Sequence, residues 1–292
     1  MSVFQMNGLL GSHPLGALAA FGLLRVLTEQ GTRPRLRFVE RDDWVAEIDC
    51  ELASIGALME SLSLWVQEPR ERLLAWSQGD VRVRLEEYRA ALASSLAVND
   101  EQLINLLSSL AADGAVDKSK GLVKPTAFYM ASGQQSFLEA MRALLKCVRE
   151  DPMKAWDEAL NGPWKYSASL WGAGWDPGTE RMHALRHKAP SKDKTSCVPG
   201  AVWLAFEALP LFPSFSVQGR DRTVGFQERP RRWVWPVPDR AISLETLSLL
   251  VASTEVAKPG QRQRSGVGAI YESIRHEFGQ GYGVFRPARR IA

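Results

Sequence analysis

Asn7–Leu27 reads NGLLGSHPLGALAAFGLLRVL, a loop followed by a helix. Ser12 is placed to cap that helix, and Pro14 fits its first turn, where a missing N–H does no harm. Leu15, Leu18, Ala19, Gly22, Leu23 and Val26 recur at helical spacing, which predicts a buried stripe. Gly16 and Gly22 leave room for another backbone to come close. Thr28–Gly31 ends the helix. Arg35–Val39 (RLRFV) then alternates like a strand, and Trp44–Cys50 (WVAEIDC) is a second strand candidate in which Val45 and Ile48 break a strict alternation. The opening is therefore α+β.

Outward from this stretch, Glu51–Ala112 reads as helical throughout, with apolar positions at Leu52, Ile55, Leu58, Met59, Leu62 and Trp65. Asn99–Asp100 caps a resumption over Glu101–Leu110. Asp113–Lys120 is a polar break, and Ser136–Arg149 is another amphipathic helix. Asn161–Ser196 is rich in Gly, Trp, Lys and His and reads as irregular. Ala201–Leu209 is a buried helix ended by Pro210 and Pro213. From Ser214 strands dominate, interrupted by a helix at Ser243–Ala252 and a basic Pro/Gly loop at Lys258–Arg264. The fold class expected is α+β, with N-terminal and C-terminal α/β parts and an inserted helical region. The segments are 1–50, 51–150 and a basic, aromatic-rich 151–292, the last able to share a domain with 1–50.

A hydrophobic content of 45% over 292 residues is enough for a substantial core. Net charge is only +3, but it is unevenly spread. Residues 1–150 carry 16 Lys and Arg against 19 Asp and Glu, whereas 151–292 carry 20 against 14. A basic half joined to a mildly acidic one suits a protein that meets a polyanion on one side and proteins on the other. Three widely spaced cysteines, Cys50, Cys147 and Cys197, form neither a disulfide framework nor a CxxC site. The longest apolar run, Leu15–Leu27, is short for a membrane span and contains Arg25; it has no basic n-region or cleavage site. A cytoplasmic protein with no membrane partner is expected.

The basic half centres on Gln218–Trp235, QGRDRTVGFQERPRRWVW. Five arginines (Arg220, Arg222, Arg229, Arg231, Arg232) stand among Phe226, Trp233 and Trp235. Guanidinium groups fork onto phosphate oxygens, and flat aromatic faces accept unpaired bases. The five arginines are thus candidate phosphate contacts, and Trp233 a candidate for stacking on a base or wedging at a duplex end. Lys188, Lys192 and Lys194 extend the basic surface, as do Arg262 and Arg264. The alternatives are a salt-bridged strand whose tryptophans face the core, or a protein–protein hot spot, since Trp and Arg favour those too.

Catalytic motifs are scarce. There is no GxxxxGK[ST], GxSxG or HExxH. His183 and His187 have the helical spacing of a zinc protease pair, but Ala184 stands where Glu is needed, and even with Cys197 no usual metal site is completed. Asp176 lies in a WDPG turn, where Asp-Pro starts the turn and Gly gives it freedom. Gly279–Gly283 (GQGYG) reads as a tight turn between strands. No catalytic residue, metal or cofactor is expected.

Four segments together carry a family resemblance: Gly8–Leu27, the WDPG turn at Trp175–Gly178, Pro199–Pro213 (PGAVWLAFEALPLFP), and Arg231–Val237 (RRWVWPV) before a GYGVFRP tail. The chain resembles proteins encoded in type I-U (I-G) CRISPR–Cas loci. These stand where other type I systems encode the large subunit of the RNA-guided surveillance complex, Cascade. The resemblance implies a non-catalytic role: reading the motif that flanks the target (the PAM), holding the guide, opening the duplex and presenting it to a helicase-nuclease. It implies guide RNA, target DNA, other Cascade subunits and that helicase-nuclease as partners. In such systems base pairing reads sequence while protein reads backbone shape and the flanking motif. The rival expectation is a structural assembly subunit with no direct nucleic-acid contact.

Overall fold

The computed structural model describes residues 2–133, 135–179, 195–228, 231–253, 262, 265–278 and 282–292. The fold is mixed α+β, with antiparallel sheets and nine helices among the described residues. Three strands form the first sheet in the order β1 (Ser2–Leu10), β3 (Trp44–Cys50), β2 (Arg35–Glu40). The last two match the sequence expectation. Strand β1 does not, because its Asn7–Gly8 pair looks like a turn. In the fold it is instead a register shift between Met6, opposite Ala46, and Leu10, opposite Val45.

Helix α1 (Pro14–Glu29) is buried from Pro14 to Leu27 on every side, because one flank faces the β1–β3–β2 sheet and another faces α8 (Pro199–Glu207). Its cap is His13, not Ser12: His13 Nδ1 accepts the Gly16 N–H at 3.3 Å. The Ser12 hydroxyl donates instead to Asp43, just before β3. At the α1–α8 crossing Gly22 touches backbone. A Cβ there would lie 1.7 Å from the Leu204 carbonyl oxygen.

The helical region comprises α2 (Ile55–Gln67), α3 (Glu71–Leu74), α4 (Leu85–Ala97), α5 (Glu101–Leu110), α6 (Phe137–Glu150) and α7 (Pro152–Leu160). Side-chain caps start several of them: Ser54 for α2, Asp100 for α5, Ser136 for α6 and Asp151 for α7. The expected polar break at Asp113–Lys120 contains most of β4 (Ala111–Asp117), which folds back on β5 (Leu122–Pro125). Val116 opposite Val123 holds that hairpin, and Val123 joins Val83, Tyr88, Leu107 and Ala111 in a small second core. The main core draws on all three segments, from Leu18 and Phe21 through Leu62 and Phe137 to Trp203 and Trp235.

One hairpin and a sheet follow α8: β6 (Ser214–Val217), β7 (Arg220–Thr223), β8 (Phe226–Glu228), β9 (Arg231–Pro238), then α9 (Leu244–Ala252), β10 (Val267–Phe278), β11 (Tyr282–Phe285) and β12 (Arg289–Arg290). The sheet order is β11-β10-β9-β8, with β12 also on β10. Phe278 opposite Tyr282 brackets the expected turn, whose residues 279–281 lie outside those described. No helix among the described residues is long and apolar enough to cross a membrane.

Candidate nucleic-acid interface

Strands β6 and β7 are joined by Gln218 and Gly219, at φ +52° and +74°. Two positive-φ residues in a two-residue loop match the right-handed twist of an antiparallel pair, and glycine makes the second of them inexpensive. The turn fixes the register: Val217 opposite Arg220, Phe215 opposite Arg222, Ser216 opposite Asp221, Ser214 opposite Thr223. Residues directly opposite share a face, so the hairpin has two chemically different sides.

The inward side is tied down by hydrogen bonds. Ser214 Oγ donates to the Ser109 carbonyl at 3.0 Å and Ser216 Oγ to that of Gly114 at 2.8 Å. Thr223 Oγ1 accepts the Ala127 N–H at 2.9 Å. Asp221 is ion-paired with Arg231 and lies 4.0 Å from Lys124. The outward side carries Phe215, 46% exposed, Val217, 43% exposed, Arg220, exposed, and Arg222, half-exposed. No acid lies on that face of the hairpin.

The Arg-aromatic block thus divides. Arg220 and Arg222 reach the outward face. Arg231 sits on β9 against Asp221. Arg232, also on β9, bonds Gln227 Oε1 at 2.9 and 2.7 Å and lies 3.3 Å from Glu272, a buried carboxylate that Arg289 also pairs with. Trp233 is corrected from a base-stacking residue to a core residue. It is fully buried, stacked on Trp235 at 4.2 Å and ringed by Phe128, Phe212 and Phe285, so neither ring face is open to a base. Alternation along β9 is the cause: Trp233, Trp235 and Val237 all turn to the core. Arg262 is half-exposed, its carbonyl accepting from the Ser265 N–H at 3.1 Å. Arg229, Arg264, Lys188, Lys192 and Lys194 lie outside the described residues.

Sequence reading missed Phe215 and Val217 because the block was cut at Gln218. The signal was SFSV, alternating polar and apolar, ahead of a Gln-Gly turn. It also missed Lys118 and Lys120, hidden in what read as a polar break, and Lys124 just beyond it.

Among the described residues no group of three His, Cys, Asp or Glu side chains could hold a metal ion. His183 and His187 are outside them. Cys197 is buried, and burial pushes its thiol up to about 12, so it stays neutral and is poorly suited to ligate a metal or attack a substrate.

Asp176 performs the turn role. It is 2% exposed, and its Oδ1 accepts the Gly178 N–H at 2.7 Å and lies 3.3 Å from His13 Nε2. Burial alone works to raise its pKa. Hydrogen bonds from His13, Gly178 and Tyr166 outweigh that and hold it below the usual carboxylate range. A depressed folded pKa adds stability that is present above the unfolded value, about 3.9, and lost as pH falls through the folded one. Asp176→Ala should therefore cost about 2 kcal/mol at neutral pH, read as a Tm drop on the order of 5 °C. The difference from the parent should shrink on acidification; a pH-independent difference would contradict the ionised role.

The four segments behind the family resemblance meet in space. His13 joins the first to the WDPG turn, Gly22 packs on Leu204 of the third, and Trp235 Nε1 donates to the Gly11 carbonyl at 2.8 Å. No family model matches the chain, and no curated protein matches it.

Proposed function

We propose that the protein is a non-catalytic, nucleic-acid-binding subunit of an RNA-guided CRISPR surveillance complex. It acts in the cytoplasm in antiviral defence and contributes to guide-RNA and target-DNA binding and to reading the flanking motif. Its partners are guide RNA, target DNA, other Cascade subunits and the helicase-nuclease they recruit. One observation carries the binding half of this reading. Arg220 and Arg222 stand on a face of the β6–β7 hairpin from which the one acid of the hairpin, Asp221, is turned away and neutralised. Guanidinium groups on such a face attract phosphates. The complex half rests on the four resembling segments, whose mutual packing is what a shared fold requires.

The test uses complexes of equal composition. Arg220→Ala with Arg222→Ala should weaken target binding across all sequences and lower the salt slope by about two units, one for each lost phosphate contact. Guide RNA should co-purify with the parent complex. Unaltered affinity and slope in a normally assembled variant complex would remove these arginines from the interface. The exposed Phe215 and Val217 favour a second reading, an assembly subunit that touches only protein. In that case the double variant changes which subunits co-purify and leaves the slope of any assembled complex unchanged.

A further inference from the structure

We infer that the open edge of β1 takes an extended segment of a partner protein, which joins the first sheet as a fourth strand and sets a lysine or arginine on Asp49. The inference is separate from the nucleic-acid reading above, and the β6–β7 hairpin plays no part in it.

The two edges of that sheet are finished differently. At β2, Leu36 and Ile242 exchange both backbone hydrogen bonds at 2.9 Å, and Arg35, Arg37 and Glu40 stand along the strand. At β1, helix α7 comes up against the far end, where a Cβ on Gly8 would lie 2.3 Å from the Ala159 oxygen. Among the described residues, no backbone hydrogen bond from outside the sheet reaches Ser2–Met6. The open N–H and C=O groups of an edge strand template another strand, and natural proteins blunt them with charged side chains or proline. SVFQMNGLL has neither. Such an edge suits strand addition, in which main-chain hydrogen bonds give affinity and side-chain positions give specificity.

The outer face of the sheet sets what the added strand should carry. Val3 and Arg35 both stand opposite Asp49, while Gln5 and Arg37 both stand opposite Glu47. Residues directly opposite share a face, so three rows cross it: neutral on β1, acidic on β3, basic on β2. Glu47 is paired with Arg37, at 2.8 and 2.7 Å. Asp49 has no such partner among the described residues, and its Oδ1 is buried with no hydrogen bond. The residue as a whole is half-exposed and lines a surface cavity of about 60 Å³ with Val3, Arg35, Arg37, Glu47 and Ala241. A carboxylate with one oxygen withdrawn from water and no donor gains more from a cation than a fully hydrated one does. A cation arriving from the β1 side meets Asp49 before it meets either arginine. Val3, directly across from Asp49, is 53% exposed. The aliphatic stem of a lysine or arginine would cover Val3 while its head reaches the carboxylate. On the other face of β1, Phe4 is only partly buried against the core, so the residues that alternate with the cation should be apolar. A second copy of β1 meets half of these demands. It could pair along the edge, but it carries no cation for Asp49.

The full-length chain is titrated with a short fluorescein-labelled peptide that alternates valine with threonine and carries lysine at one central threonine position. A control peptide carries glutamate there. Two more keep the lysine and bear N-methyl groups on one or the other alternate set of backbone nitrogens. The parent should bind the lysine peptide on the order of tenfold tighter than the glutamate peptide, against the chain's own net charge of +3. One set of N-methyl groups should abolish binding and the other should be tolerated, because only alternate N–H groups of a strand face its neighbour. Asp49→Asn should erase the lysine preference and melt with the parent. Val3→Lys supplies a cation to Asp49 from within the chain, so it should raise Tm and erase the preference too. Absence of binding by the parent overturns the inference, as does equal affinity for the lysine and glutamate peptides. If Asp49→Asn keeps the preference, the cation does not sit on Asp49 and the inference fails. If both N-methylated peptides bind like the unmodified one, strand addition is overturned. If the chain self-associates as its concentration rises and Val3→Lys abolishes this, the edge joins two copies and the basic partner is overturned.

Discussion

Gly22→Val should leave the protein largely unfolded or insoluble, and Gly22→Ala should already cost at least about 3 kcal/mol. On propensity alone the sign would be opposite, since alanine in a helix interior gains about 1 kcal/mol over glycine. Position decides otherwise. The Cβ would sit 1.7 Å from the Leu204 oxygen and 2.6 Å from its carbon, contacts with α8 backbone that no rotamer change can relieve. Both helices are buried on all sides over their contact, so neither can slide away without opening the core. Gly56 in α2 is the control: a Cβ there meets only Ser54 Oγ, at 3.6 Å. Gly56→Ala should stay within about 1 kcal/mol of the parent. Thermal melts of the three variants check the argument. Equal Tm values for Gly22→Ala and the parent would mean that α1 and α8 do not cross as described.

The crossing was partly legible in the sequence. Glycines in an otherwise apolar, Leu-rich helix point to a close neighbour, and the apolar Pro199–Pro213 stretch was an available partner. What local reading could not supply is which side chains are diverted by distant ones. Ser12 is a good cap by type, yet Asp43 lies within reach of its hydroxyl, and His13 caps instead. Strand β1 is assembled by its pairing with β3; its Asn-Gly pair carries the local signature of a turn. The same is true of β4, whose polar residues face outward while Ala115 and Val116 follow the hairpin.

The candidate site was legible in charge and not in geometry. Arg220, Arg222, Arg231 and Arg232 are contiguous in composition, but strand alternation and two acids split them. Asp221 pairs with Arg231 and Glu272 with Arg232, while Arg220 and Arg222 stand on the outward face. The aromatic residues divide by the same period of two. Trp233 and Trp235 lie in RRWVWPV, where alternation marks one buried face, and their burial follows from it. Phe215 is instead exposed, and its neighbours Ser214 and Ser216 have the polarity of a strand whose other side bonds backbone carbonyls.

Glu207→Ala should destabilise the protein by about 3–5 kcal/mol, and a paired replacement should recover most of that loss. Arg25 is the one charge in the buried part of α1, 5% exposed, and Glu207 the one charge of α8, 3% exposed. They meet at 3.1 Å, and Arg25 also donates to the Glu207 carbonyl at 3.2 Å. Trp65 Nε1 donates to the other carboxylate oxygen at 2.9 Å. Beside them Arg70 is 2% exposed and lies over the Trp65 ring at 3.3 Å; burial lowers its pKa. Removing Glu207 strands the Arg25 guanidinium and the Trp65 N–H together in a site that solvent barely reaches. Glu29, at 3.5 Å from Arg25 and exposed, compensates only part of the charge. Arg25→Met with Glu207→Leu removes both ions and refills their volume, so it should fall within about 1–2 kcal/mol of the parent. The coupling energy from melts of the parent, Arg25→Met, Glu207→Leu and the double variant should then be several kcal/mol, far above the roughly 0.3–0.5 kcal/mol expected of independent sites. Additive losses in the double variant would mean that each charge is satisfied separately and that the pair does not tie α1 to α8.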